Sequence, residues 1–405
     1  MTATPEGQGV VITGLGLVLP SGTGLGAAGA VFEGRSAVSF LPGIEGIPEA
    51  TGAALRNFEP PPGTASADRA IQFAVSAAEE AWAGACAARS SPSPGRVATV
   101  VSLSKGPLLA LADRAQQSGR SGRDWAQVSP SAAASAIAAR LGSTGPVLTP
   151  VTACASGGHA LIWGASLIAR GCADAAVVGA AEASLHPLVI GSYRRMGVLA
   201  DAGDDPAASV RPFSATRRGF AIGEGAGILL LESEASAERR GAAVLARVKG
   251  WATGAQACRP AAMEPTGKAL SRIITNALVC AGVAAEAVDY IHAHGTATRD
   301  NDLAEAKAIR RAFGAAAGRV SVSSTKGSHG HLLGAATAVE LVLTVLAIRR
   351  GEAPPTANLT DPDPAIGLDC TPLVARRRPI RCALKIASGF GGQLAAIVLT
   401  SPTGA

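Results

Sequence analysis

Both parts of this chain repeat one rhythm: an apolar run short enough for a buried strand, then a longer segment with helical spacing. Runs at 9–19, 96–103, 175–181 and 228–231 read as buried strands in the first part. Runs at 243–250, 320–324, 381–388 and 394–400 read so in the second. Helical segments are expected over 69–88, 130–141, 161–169, 267–281, 301–313 and 330–349. Alternation of this kind points to an α/β protein and suggests two related α/β layers, without establishing a duplication. The stretches 35–67, 104–127 and 183–220 read as loops or excursions, the second with room for a short helix. With 405 residues, 48% hydrophobic, 49 glycines and only 3% aromatics, the core must be built from small side chains.

Several chemistries are excluded early. Gly14-Leu15-Gly16 invites a dinucleotide loop, but the third glycine would fall at Leu19, and no acidic strand end follows. Gly223-Glu224-Gly225-Ala226-Gly227 lacks the Gly-Lys-Ser/Thr ending of a phosphate loop. The net charge of +6 is spread without a basic tract or aromatic interleaving, so nucleic-acid binding is not expected. A mildly positive surface suits an acidic protein partner or an anionic arm. The arginines at 194, 195, 211, 217 and 218 read as solvated or ion-paired, or as part of a docking face. Seven cysteines without a CxxC pair fit a reducing, cytoplasmic setting. No secretory leader, membrane span or zinc spacing is expected.

One cysteine stands apart. The extended approach 147–153 runs into Cys154, small residues follow, and then a helix. A cysteine at a helix N-terminus is favoured as thiolate. Taken alone, Cys154 reads first as a buried structural thiol. Two glycine-flanked histidine segments, His294-Gly295-Thr296-Ala297-Thr298 and His329-Gly330-His331, with Lys326 nearby, turn the reading toward catalysis.

At this point nearly the whole chain resembles the β-ketoacyl-acyl-carrier-protein synthases, particularly the elongating fatty-acid or type II polyketide forms. The resemblance rests on Thr152-Ala153-Cys154-Ala155-Ser156-Gly157, Arg211-Pro212-Phe213, and Gly219-Phe220 with the glycine run 223–227. It rests equally on His294-Gly295-Thr296 with Asp302 and Glu305, Ser324-Thr325-Lys326 with the 330–336 run, and Gly389-Phe390-Gly391-Gly392. It implies a thiolase-like α/β fold, with two related halves layered α-β-α-β-α. Residues 1–240 would carry the cysteine, and 241–405 the histidines and lysine. It further implies that Cys154 accepts the acyl group, and that His294 and His331 act in malonyl decarboxylation. Lys326 would tune them, and Glu305 would be a supporting buried acid. Backbone N–H groups of Cys154 and Phe390 would form an oxyanion hole, with Phe390 also a gate. Thr296, Thr298, Ser388 and Gly391 would contact substrate.

The implied partners are acyl carrier protein and its malonyl and acyl thioesters. No cofactor or metal is implied beyond the phosphopantetheine arm that the carrier brings. A homodimer is expected. The alternatives are a subunit active only in a heterodimer with a second ketosynthase-like chain, and a non-elongating acyltransferase. A two-histidine set resembles elongating enzymes rather than the Cys-His-Asn set of coenzyme-A starters. Departures from the family pattern occur at His329, Ser388, Leu394, Ser214 and Arg218.

Overall fold

A computed structural model describes residues 8–87, 90–116, 125–258 and 261–404. Its main sheet contains β1 (Val10–Leu19), β2 (Val97–Leu103), β3 (Val147–Leu148), β4 (Ala175–Glu182) and β5 (Gly225–Ser233) from the first half. The second half supplies β6 (Ala246–Ala255), β7 (Tyr290–His292), β8 (Ser321–Ser323), β9 (Cys382–Gly389) and β10 (Gln393–Thr400). The strand order is β8-β7-β9-β10-β6-β1-β5-β4-β2-β3, with Gly22–Thr23 paired to β1 off this path.

Each half obeys the same pairing rule. In the first, β1 and β5, then β5 and β4, are antiparallel, while β4–β2 and β2–β3 are parallel. In the second, β6–β10 and β10–β9 are antiparallel, and β9–β7 and β7–β8 parallel. The halves meet where β1 pairs antiparallel with β6, at Val10–Val248, Val11–Arg247 and Ile12–Ala246.

The helices complete five layers. Outside the first half lie α1 (Arg69–Cys86) and α2 (Ala132–Leu141); between the halves lies α3 (Ser156–Ala169). The connection after β4 contains α4 (Pro187–Arg195). Outside the second half lie α5 (Lys268–Ala281) and α6 (Arg299–Phe313), and α7 (Ala336–Arg350) joins α3 in the middle. Period-two alternation explains the stacking. On β9, Cys382, Leu384 and Ile386 face α5 and α6, whereas Ala383 and Ala387 join the central cluster around α3 and α7. On β5, Leu229 and Leu231 face the centre, and Ile228 and Leu230 face α1 and α2. Small residues allow close approach. A side chain at Gly14 or Gly16 would collide with the Ala81 or Ala77 carbonyl of α1, so this pair serves packing, not a nucleotide. Asp68 caps α1 by accepting from the Ala70 N–H at 2.8 Å.

Some boundaries differ from expectation. The middle helix of the first half starts at Ser156, immediately after the cysteine, because burial overrides the weak helix propensity of Gly157-Gly158. The final long helix starts only at Ala336, since Leu333 takes φ 46° and breaks the run. The approach to Cys154 holds just two strand residues. The excursion after β2 contains a helix over Leu108–Gln116; part of the expected 104–127 stretch lies outside the described residues. No helix among the described residues is long and apolar enough to cross a membrane.

Candidate active site

The strand ends and middle-layer turns of both halves converge on one cavity of about 540 Å³. Its lining includes Cys154, His294, His331, Thr296, Thr298, Ser388 and Phe390.

Cys154 sits in a single 3₁₀ turn, Ala153–Ala155, that feeds α3. Ala153 adopts the left-handed φ of 49°, a strained choice for alanine, and local bonds hold it. Ser156 Oγ donates to the Ala153 carbonyl at 2.7 Å and accepts from the Thr152 N–H at 3.0 Å. The Cys154 carbonyl accepts from Thr337 Oγ1 of α7 at 2.7 Å. Burial pushes the thiol up to about 11, while the positive charges of Lys105 and Lys326 pull the other way. Burial thus works against the lowering expected at the start of a helix and favours the protonated thiol.

His294 follows β7, and His331 follows the short turn Lys326–His329. Their rings meet edge to face, with centroids 5.5 Å apart, and Phe220 packs edgewise on His331 at 4.8 Å. Burial, reinforced by the Lys326 charge, holds both imidazoles well below the usual histidine range. They are neutral. The Leu333 N–H donates to His331 Nδ1 at 3.1 Å, so the ring proton of His331 is on Nε2.

Lys326 and Glu305 are near the site without lining the cavity. Lys326 donates to the His294 carbonyl and to Glu340 Oε1, and it is fully buried. Glu305 accepts from the His294 N–H at 2.6 Å and the Gly295 N–H at 2.8 Å, one on each oxygen. Burial raises its carboxyl to about 7 against those two donors. Both residues thus act on the backbone that presents His294.

Thr296 and Thr298 join their hydroxyls at 2.8 Å in the cavity wall. Ser388 lines it with a buried Oγ that has no protein partner. Gly391 is exposed at the tip of the β9–β10 bend and does not line the cavity, unlike its expected role.

Other residues escaped the sequence. Glu340 on α7 lies between Lys326 and Lys385, 2.6 Å from the latter, and all three are fully buried. Burial alone would raise Glu340, but the two lysines outweigh it and hold the carboxyl well below its ordinary value. Burial lowers Lys385 to about 8, against the pull of Glu340. Lys385 also donates to the His292 and Ala293 carbonyls, at 3.3 and 3.0 Å. Tyr193 of α4 stacks on Phe390 at 6.1 Å and meets Phe220 edgewise at 6.0 Å, making an aromatic wall beside the thiol. Of the arginine run, Arg217 takes the ion-paired alternative read from the sequence: it is 2% exposed, donates to Asp363 at 2.7 Å and lies 3.6 Å from Asp302. Arg218 and Arg299 also line the cavity. Among the described residues no cluster of histidine, cysteine and carboxylate side chains is arranged to hold a metal ion.

Comparison with known proteins agrees with this geometry. Residues 8–237 match the family model of the beta-ketoacyl synthase N-terminal domain, and 245–360 that of the C-terminal domain. The chain is 34% identical to the tetracenomycin polyketide synthase ketoacyl synthase alpha subunit of Streptomyces glaucescens, over 97% of both chains. It is 33% identical to the 3-oxoacyl-[acyl-carrier-protein] synthase 2 of Coxiella burnetii, over 98% of this chain and 99% of the other. A chain of the solved structure of a type II polyketide synthase acyl-carrier protein in complex with its ketosynthase bound to the hexaketide superposes with a TM-score of 0.89 at 33% identity. That match covers 98% of this chain and 100% of the other.

Proposed function

The chain belongs to the β-ketoacyl synthase family, and on that premise we propose how its residues divide a decarboxylating condensation. The reaction joins an acyl-carrier-protein thioester to malonyl-carrier-protein, giving a 3-ketoacyl thioester, CO2 and free carrier protein.

In the first half-reaction the Cys154 sulfur attacks the acyl carbonyl. The bond to the sulfur of the carrier's phosphopantetheine arm breaks, and the thiol proton ends on that departing sulfur. The backbone N–H groups of Cys154 and Phe390 receive the tetrahedral oxyanion. Thr296 and Thr298 engage the arm. In the second half-reaction the malonyl carboxylate leaves as CO2, and its electron pair moves onto the thioester oxygen as an enolate. Neutral His294 and His331 donate to that oxygen, His331 through Nε2. The enolate carbon then attacks the acyl carbonyl on Cys154, the sulfur departs as thiolate, and a proton from water restores the thiol for the next acyl group. Lys326 and Glu305 hold the His294 backbone rather than touch substrate. Arg218 and Arg299 in the cavity lining suit an anionic arm and an acidic carrier surface.

The observation that carries this reading is the convergence of Cys154, His294, His331 and Phe390 on one cavity. We further propose a homodimer: the outermost strand β3 leaves Val147 and Leu148 exposed on a sheet edge that a second copy would cover. Its size in solution, measured alone and after co-expression with a ketosynthase-like partner, tests this; a monomer that gains activity only with the partner would overturn it.

The decisive experiment is intact-mass analysis with a panel of acyl carrier proteins. Wild type gains one acyl mass, Cys154→Ala gains none, and malonyl-carrier then discharges the acyl group as product. Folded protein that takes up no acyl group and releases no CO2 with both carriers would sink the assignment.

A further inference from the structure

Each cavity histidine is preceded, two positions earlier, by a second buried histidine: His292 before His294 and His329 before His331. Neither inner ring lines the cavity. One hydroxyl connects them. Thr325 Oγ1 is 3.0 Å from His292 Nε2 and 2.8 Å from His329 Nε2. At the far ends, His292 Nδ1 is 3.0 Å from Thr344 Oγ1, and His329 Nδ1 is 2.8 Å from the Gly330 carbonyl.

The proton count decides the direction. A carbonyl only accepts, so His329 Nδ1 carries its proton. Burial, with the charges of Lys326 and Lys385 against that of Glu340, keeps both inner rings neutral; His329 is lowered to about 4. Neutral His329 must therefore accept at Nε2, and the Thr325 hydroxyl donates to it. That hydroxyl has one proton, so it accepts from His292 Nε2–H. At the far end, His292 Nδ1 and the Glu340 carbonyl compete for the single Thr344 proton, at 3.0 and 2.6 Å. From His292 to Gly330, three protons serve three contacts in a single sense. The chain ends on the Gly330–His331 peptide, whose N–H donates to the Ala221 carbonyl at 2.7 Å. Polarising that carbonyl strengthens the next bond in line.

We propose that His292, Thr325 and His329 are positioning residues: a one-way hydrogen-bond chain through them sets the register of the two turns that present His294 and His331. This gives His329, where the family pattern has threonine, a place in the site. The catalytic consequence rests on the assignment of His294 and His331 to decarboxylation; the chain itself does not.

The test uses full-length protein. Thr325→Val keeps the shape and removes the bridging hydroxyl. Turnover of malonyl-carrier decarboxylation is expected to fall about tenfold or more, with KM little changed. Acyl loading of Cys154 stays at the wild-type rate, and Thr325→Ser restores turnover. Adding His329→Leu to Thr325→Val costs little more, because the chain is already cut. Independently, nitrogen-15 NMR of the six histidines in wild type should find the proton of His329 on Nδ1 and that of His292 on Nε2. The opposite tautomer at either ring, or wild-type decarboxylation by folded Thr325→Val, overturns the proposal. If wild type neither loads nor decarboxylates, the condensing assignment fails, while the tautomers still decide the chain.

Discussion

The two middle helices begin with the same backbone device and end with opposite chemistry. Ala153-Cys154-Ala155 leads into α3, and Leu333-Gly334-Ala335 leads into α7; the positions differ by a constant 180 (333 minus 153). Both turns open on a left-handed residue, at φ 49° and 46°. Gly334 is thus the counterpart of Cys154. Its N–H is taken by Glu182 Oε2 at 3.0 Å, and a side chain there would run into Ser104. Five places after each turn's end, Ala160 in α3 corresponds to Glu340 in α7, although the one is a packing residue and the other a buried charge. A shared turn therefore becomes a nucleophile's seat only where the opposite half leaves room for a side chain. The other copy gave up that room, and its surroundings serve the histidines.

The largest effect should come from erasing the chemical difference at its source. Cys154→Ala makes the first turn as inert as the second, and condensation should fall on the order of a thousandfold or more, read as product formed from both carriers. Retained condensation would break the comparison. Next, Glu340→Ala gives α7 the residue of α3 and strands Lys326 and Lys385 without their carboxylate. Loss of about 3–5 kcal/mol is expected in denaturant unfolding. Gly334→Ala fills the space beside Ser104 and should cost about 1–3 kcal/mol, relieved in part by Ser104→Gly.

A fourth test concerns pH. With the Cys154 thiol raised to about 11, its thiolate fraction grows as pH rises. Iodoacetamide alkylation should therefore climb about tenfold per pH unit from pH 7 to 9. A plateau in that range would mean that the helix start, not burial, governs the group. Smallest of all, Ala153→Gly relaxes the left-handed residue and should change stability by about 1 kcal/mol or less. Leu333 has no such freedom, because its side chain is buried with Val189, Ile190 and Phe220.

Much of this was legible in the residues. Strand–helix alternation pointed to an α/β protein, because buried strands and middle helices are both apolar runs of characteristic length, and the family resemblance supplied the five layers. The cysteine, the two histidine segments and Lys326 stood out because their small neighbours are unusual around reactive groups. Glu340 and Lys385 were invisible for the opposite reason. Each sits in an otherwise apolar helix or strand, and only the fold brings their charges together. Tyr193 was hidden in a connection read as irregular, whereas Arg217 makes the internal ion pairs that its run allowed. The false start at residue 330 has a physical cause: the apolar pattern runs on through Leu332 and Leu333, while the backbone turns left-handed there.

The crossing of the halves also bears on how the enzyme is made. The cavity wall draws on Cys154 from early in the chain and on Phe390 from near its end. The central cluster around α3 needs Ala383, Ala395 and Ile397 to close it. A ribosome adds roughly 5–20 residues per second, so α3 and its thiol wait some tens of seconds for their final cover. During that interval the nascent first half presents an apolar helix face that only the last two strands cover.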